Sequence, residues 1–170
     1  MATTPMPIVG TGDVRRKLLA CAIDVSGSAG AADYFVAGYK IPSASVETNP
    51  DSETMTDILG DTHTTVNKFE PVITFEPHRL FTGDKIGAIL LQYFRDGSLE
   101  KFSQFKCILI YGFLGTEGAY QADLYNECTI LPNSIGGESY VEMPFEVHFG
   151  GEKTQGTVDA LRGSVNFSAA

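Results

Sequence analysis

Two segments in the C-terminal half alternate between apolar and polar residues, and this pattern restricts the possible folds more than any other feature. The segments are 120–131 (YQADLYNECTIL) and 140–149 (YVEMPFEVHF). A period of two is typical of a β-strand with one buried face. The residues expected to face a core are Ala122, Leu124, Cys128 and Ile130 in the first segment and Val141, Met143, Phe145, Val147 and Phe149 in the second.

One segment follows the helical period instead. Its apolar residues, spaced i, i+3, i+4, i+7 and i+8, are Ile86, Ile89, Leu90, Tyr93 and Phe94. This spacing predicts an amphipathic helix at about 83–96, with Thr82 as N-cap and Gly97 as terminator. Strands are predicted at 18–25, 34–41, 66–76 and 102–114, and the run CILIYGFL (107–114) indicates burial on both faces. We expect a mainly β fold, a sandwich or an open barrel, with one amphipathic helix packed on a sheet.

The whole chain, 1–170, is predicted to be a single domain with three peripheral segments. Residues 1–14 are predicted to be an N-terminal arm and 159–170 a C-terminal tail, although 153–158 and 163–167 also fit short closing strands. Residues 43–65 contain five acidic residues and no Lys or Arg, which predicts a long acidic loop. It is either a solvated surface loop or an assembly loop that docks on another subunit through Met55, Ile58 and Leu59.

Composition argues against several functional classes. The formal net charge is −9, whereas a free-standing nucleic-acid binder carries a basic surplus. His63, His78 and His148 stand apart from one another, and no metal, cofactor or catalytic motif occurs, so neither an enzyme nor a cofactor is predicted. The odd number of cysteines (Cys21, Cys107 and Cys128) indicates reduced core thiols. No membrane-spanning run or secretory signal is expected from the pattern of apolar residues.

Acidic residues accumulate on the predicted polar faces of the alternating strands. No Lys or Arg occurs between Cys107 and Glu152, whereas this stretch contains seven Asp or Glu residues. Four of these are Asp123, Glu127, Glu142 and Glu146. Either the polar faces are acidic by chance, or one face of the sheet is kept negative for a functional reason.

At this point the sequence resembles the major tail (tail tube) proteins of long-tailed bacteriophages of Gram-positive hosts. The resemblance covers roughly residues 15–167. It is carried by the order of predicted elements and by 56–61 (TDILGD) leading into 66–71 (VNKFEP). The segment 145–151 (FEVHFGG), leading to 156–158 (GTV), adds to it.

The resemblance implies a β-sandwich or half-barrel with one flanking helix. It also implies a virion protein, assembled in the host cytoplasm, whose hexameric rings stack into a hollow tube. Its implied partners are other copies of itself, the tail tip and tail terminator proteins, and the tape measure protein and genome DNA in the lumen, without specific DNA binding. It also implies that the 43–65 loop reaches a neighbouring subunit or ring. The loop residues then expected at that contact are Met55, Asp57, Ile58, Leu59 and Asp61.

A conduit for DNA must not hold its cargo, because each basic contact to a phosphate adds affinity. We therefore expect the four acids Asp123, Glu127, Glu142 and Glu146 to face the lumen. Two alternatives stay open from the sequence. One is the tube protein of a phage-derived bacteriocin or a type VI-like secretion apparatus. The other, of a different class, is a monomeric ligand-binding β-barrel.

Overall fold

The structure is a computed structural model that describes residues 4–27 and 30–170. Within these residues the chain forms mainly antiparallel strands and a single α-helix, which confirms the predicted mainly β class. The helix α1 covers Lys85–Asp96, and short 3-10 turns lie at Arg16–Leu18 and Leu99–Ser103. The strands are β1 (Leu19–Asp24), β2 (Tyr34–Ala37), β3 (Val46–Glu47), β4 (Pro50–Thr56), β5 (Thr62–Phe69), β6 (Val72–Phe75), β7 (Phe105–Thr116), β8 (Ala119–Pro132), β9 (Phe145–His148), β10 (Lys153–Val158), β11 (Ser164–Val165) and β12 (Phe167–Ala169).

Most of the strands form a closed ring, which we call the barrel. The hydrogen-bonded order runs β2, β1, β7, β8, β10 and β12, while β11 pairs back onto β2. Only Asn166 separates β11 from β12, so the continuous backbone closes the ring. The prediction of a C-terminal tail at 159–170 is therefore wrong for these strands. The alternative, short closing strands at 153–158 and 163–167, is confirmed.

The barrel interior is filled by side chains from every strand of the ring. Its buried members are Ala22, Tyr34, Ile108, Ile110, Ala122, Val158 and Val165. A second sheet of β8, β9, β6 and β3, together with α1, covers the outer face of β1 and β7. Residues such as Cys107 and Leu109 on that face lie in the main core, which the second sheet and helix enclose. The predicted burial of β7 on both faces is confirmed.

Strand β8 belongs to both sheets because a β-bulge reverses its faces midway. Phe105 pairs with Cys128 and Cys107 with Tyr125, so Asn126 and Glu127 together lie opposite one residue of β7. Before the bulge Ala122 points into the barrel interior, and after it Cys128 points into the main core. The prediction that Ala122, Leu124, Cys128 and Ile130 share one face is therefore wrong.

The turn after β9 fixes the bulge. Asn126 accepts a hydrogen bond from the backbone N–H of Glu152 through its side-chain oxygen (2.8 Å). A Cβ at Gly151 would lie 2.2 Å from that oxygen, and Gly151 has φ +75°, so this position requires glycine. The sequence therefore specifies both the bulge and the turn that packs against it.

The helix lies where its apolar stripe predicts, but its cap differs. Asp84, not Thr82, is the N-cap and accepts a hydrogen bond from the Gly87 N–H (3.0 Å). Its other carboxylate oxygen lies 3.0 Å from Nε2 of buried His78. Gly97 ends the helix in the left-handed region, as predicted.

Residues 43–65 are not a loop. β4 and β5 pair into a two-stranded antiparallel sheet, which we call the hairpin, and β3 pairs with β6 at the edge of the second sheet. The strand predicted at 66–76 is divided at Pro71 between the hairpin and β6. No short-range apolar alternation marks the hairpin because every residue of both its strands is exposed.

The strand predicted at 140–149 is also shorter than expected. Only Phe145–His148 is a strand, and Val141 is 51% exposed, so its predicted core position is wrong. Met143, Phe145, Val147 and Phe149 are buried as predicted.

The described part of the N-terminal arm, 4–14, is exposed throughout, and Val9 N–H donates to the Phe113 carbonyl (2.9 Å). All three cysteines are free and buried, as predicted. None of the described helical segments is long and apolar enough to cross a bilayer.

Ending the chain at Gly163 should strongly destabilise the fold, because β11 and β12 close the barrel. Val165 is only 3% exposed, and losing its burial together with that of Phe167 should lower the free energy of unfolding by about 3–6 kcal/mol. The urea midpoint measures this change. Removing residues 1–12 is the control and should leave the midpoint nearly unchanged. Equal midpoints for both truncations would contradict a closing role for β11 and β12.

Candidate assembly site

The hairpin is a two-stranded arm with water on both faces. β-branched residues favour the extended backbone, and cross-strand hydroxyl pairs join Thr54 to Thr64 (3.0 Å) and Thr56 to Thr62 (3.4 Å). At its base Asn49 donates to the Glu70 carbonyl (3.1 Å). The seven residues of β4 give the hairpin a length of about 23 Å.

A hydrogen-bond network organises the tip of the hairpin, 56–61. One carboxylate oxygen of Asp57 accepts from the backbone N–H groups of Leu59 (2.8 Å) and Asp61 (3.0 Å). The other oxygen lies 3.0 Å from Nε2 of His63 on β5. The hydrogen bond from His63, followed by those from the backbone, lowers the pKa of Asp57 below its ordinary range. The tip is therefore a shaped turn rather than a free loop.

Two large apolar side chains stand at this tip. Ile58 is 102% exposed and Leu59 is 82% exposed, and Met55 on β4 is exposed as well. All five residues predicted for an assembly contact therefore lie in one small region: Met55, Asp57, Ile58, Leu59 and Asp61. Sequence analysis missed the structural role of Asp57 and the participation of His63, because residues six apart meet here only through the turn.

The four predicted lumen acids do not lie on one face. Asp123 is only 9% exposed, whereas the alternating pattern predicted an exposed side chain. Its carboxylate lies 3.9 Å from Nζ of Lys153. Burial, followed by the charge of Asp123, raises the pKa of Tyr111. The β8 bulge explains the difference, because it puts Asp123 and Glu127 on opposite faces.

The other three acids are accessible. Glu146 pairs with Leu131 in the β8–β9 register, and Glu127 lies on the same outer face of the second sheet. Glu142 forms an ion pair with Arg79 (3.2 Å), and Glu146 lies 3.2 Å from Nε2 of His148. Their position in a lumen stays a prediction.

The histidines, isolated in sequence, each lie beside a carboxylate in the structure. His63 is near Asp57, His148 near Glu146, and His78 near Asp84. His78 is buried, and its Nδ1 has no hydrogen-bond partner among the described residues. Within 4–27 and 30–170, no three His, Cys, Asp or Glu residues are grouped in a way that could hold a metal ion.

Comparison with known proteins finds no protein-family model and no curated protein that matches this chain.

Replacing Asp123 with Lys should destabilise the fold, whereas the same change at Glu127 should not. A lysine at position 123 would lie, largely buried, beside Lys153 without a carboxylate partner, at a cost of about 1–3 kcal/mol. Position 127 is exposed, so Glu127→Lys should change the free energy of unfolding by no more than about 0.5 kcal/mol. Urea unfolding of both variants tests this, and an equal loss of stability would contradict the ion-paired site.

The tip should lose its order at low pH. Because the folded-state pKa of Asp57 is below its ordinary value of 3.8, the carboxylate stabilises the turn above that pH. This stabilisation is lost as the pH falls through the folded-state pKa. The amide proton shifts of Leu59 and Asp61 in NMR spectra should therefore move in this acidic range. In Asp57→Asn the amide oxygen can still accept both bonds, and the shared titration should disappear. Wild-type shifts that do not change between pH 5 and pH 2 would contradict the network.

Proposed function

We propose that this protein is the structural subunit of a viral tail tube, in which rings of identical copies stack into a conduit for DNA. The six-fold ring, the virion location, the tail tip, terminator and tape measure partners, and assembly in the host cytoplasm come from the sequence resemblance. The structure contributes the physical argument for self-assembly, and the hairpin carries that argument.

An isolated two-stranded hairpin is marginally stable in water, and its two outer edges are unpaired. This one is nevertheless ordered at its tip by Asp57 and places Ile58 and Leu59 in solvent. Removing two such side chains from water is worth about 1.5–3 kcal/mol each. The exposure of these two side chains on an ordered hairpin is explained if another protein surface covers them.

Two further features agree with the proposed tail tube. The described part of the N-terminal arm also exposes apolar residues, namely Met6, Ile8, Val9 and Val14. The net charge of −9 suits a conduit that must repel phosphates rather than bind them. Glu127, Glu142 and Glu146 are the residues we assign to the lumen, and Asp123 is withdrawn from that role because it is buried.

A tube subunit of a bacteriocin or secretion apparatus would share these physical features. A monomeric ligand-binding barrel is less well supported, because the barrel interior is filled by nearly fully buried side chains such as Ile108, Ile110 and Val158. Ligand binding inside a monomeric barrel would also not explain an exposed hairpin that ends in two apolar side chains.

Ile58→Ser with Leu59→Ser should leave the fold intact and prevent polymerisation. Among the described residues, neither Ile58 nor Leu59 belongs to a hydrophobic core or packs against one, so circular dichroism and the urea midpoint should not change. The protein concentration at which polymers form should rise at least about tenfold, the equivalent of 1.4 kcal/mol. Sedimentation velocity and negative-stain images measure assembly.

The matched control is Leu99→Ser with Ile135→Ser, which removes two exposed apolar side chains elsewhere. This control should assemble like the wild type. A wild-type protein that stays monomeric at every concentration and salt condition, including with a tail-tip initiator, would contradict the proposed function.

A further inference from the structure

An acid-free groove opens beside β2 and the segment that follows it. It has a volume of about 580 Å³, within the range of ligand pockets. Residues of the Arg16–Leu18 turn, β2 and the turn that follows it, 40–44, and 161–163 form its walls. We call it the cationic groove, because its lining includes Arg16, Lys17, Lys40 and Arg162 and no Asp or Glu.

The positive charges of this groove are not neutralised within the described part of the chain. None of the ion pairs there involves Arg16, Lys17, Lys40 or Arg162. The Arg16 guanidinium instead donates to the Ala44 carbonyl from Nε (3.1 Å) and Nη2 (2.6 Å), which fixes its position without cancelling its charge. Four of the twelve basic residues of a chain with net charge −9 thus surround one groove.

Apolar side chains line the groove between these charges. Phe35, Phe75 and Leu161 line the groove, and the rings of Tyr39 and Phe81 pack 4.7 Å apart at its side. Charge complementarity favours anionic partners, and an apolar lining favours apolar side chains. The occupant is therefore expected to combine apolar side chains with flanking carboxylates.

We propose that the cationic groove receives the hairpin tip of a second copy of this chain. This inference rests on the proposed function and names the surface that the hairpin contacts. The tip presents Ile58 and Leu59 beside Asp61, and Glu53 lies further along β4. Neither Glu53 nor Asp61 forms an ion pair within the described residues, so both are free to pair with the basic residues of the groove.

The contact must join two different copies. Because Ile58 is fully exposed, the tip does not occupy the groove of its own chain. Each copy then offers one tip and one groove, at separate places on its surface. Such a heterologous contact does not stop at a dimer but continues into a closed ring or an open polymer. The groove–tip contact is thus a means of extending a tube.

Two complementary defects test the proposal. Lys40→Glu with Arg162→Glu reverses two positive charges of the groove and leaves the tip unchanged. Ile58→Ser with Leu59→Ser removes the apolar side chains of the tip and leaves the groove unchanged. Each variant alone should stay monomeric under conditions in which the wild type polymerises. Mixed at equal concentration, they should form a 1:1 heterodimer and nothing larger, because only one functional tip and one functional groove meet. Sedimentation velocity distinguishes monomer, heterodimer and polymer.

The charge control is Arg95→Glu with Lys106→Glu, which changes the net charge equally at exposed sites outside the groove and should assemble like the wild type. Reversing Glu53 and Asp61 to Lys in the groove-reversed chain should restore assembly at least partly, by re-pairing opposite charges. Restoration would support a direct contact rather than a general charge effect.

Polymerisation of the groove-reversed variant at the wild-type concentration would overturn the groove assignment and leave the proposed function standing. A 1:1 heterodimer in the mixture of the two variants, together with a wild type that never forms tubes, would support the contact and count against the tube. Monomers in every sample would contradict both. Binding of dodecanoate to the wild type, abolished by the groove reversal and without any heterodimer in the mixture, would replace the proposal with a small amphipathic ligand.

Discussion

The bulge at Asn126 and Glu127 is the constraint on which the arrangement of layers depends. A strand without it would keep Ala122 and Cys128 on the same face, and β8 could serve only one of the two cores. By advancing the side-chain alternation by one residue, the bulge lets β8 close the barrel with one half and begin the second sheet with the other. Gly151 and the Asn126 side chain hold that irregularity in place. Both hydrophobic cores are therefore tied to a few polar contacts at one turn.

Much of the fold was predictable because burial leaves a periodic signal. Apolar spacing alone predicts the helix, β1, β7 and the buried positions of 143–149, and Gly97 marks the C-terminal end of the helix. The bulge was not predictable, because a single extra residue interrupts the period without changing composition. Thr82 and Asp84 are both of a residue type preferred at the N-cap, so the local sequence did not decide between them. The cap is Asp84, which also lies beside His78.

The candidate functional surfaces were likewise predicted only in part. Sequence analysis identified the exposed apolar residues of the tip because they interrupt a polar, acidic stretch, but it did not predict a hairpin, since strands exposed on both faces carry no alternation. Asp123 was assigned to a polar face from the alternation of side chains along β8. It is buried because the bulge changes which face each alternate residue occupies. The cationic groove could not be found at all, because Arg16, Lys40 and Arg162 are far apart in sequence and meet only when the barrel closes around β2 and β11.

The way in which the hairpin joins the body has a mechanical consequence. Only Glu70 and Pro71 separate β5 from β6, so a pull on the arm passes almost directly into β6. Backbone hydrogen bonds between antiparallel strands run perpendicular to the strand axis. A force along β6 therefore loads its bonds to β9 together, in shear, instead of breaking them one after another as in peeling. A chain of such subunits would resist stretching through its strands. It would bend at the short connections between hairpin and body, so the filament would be stiff in tension and flexible in bending.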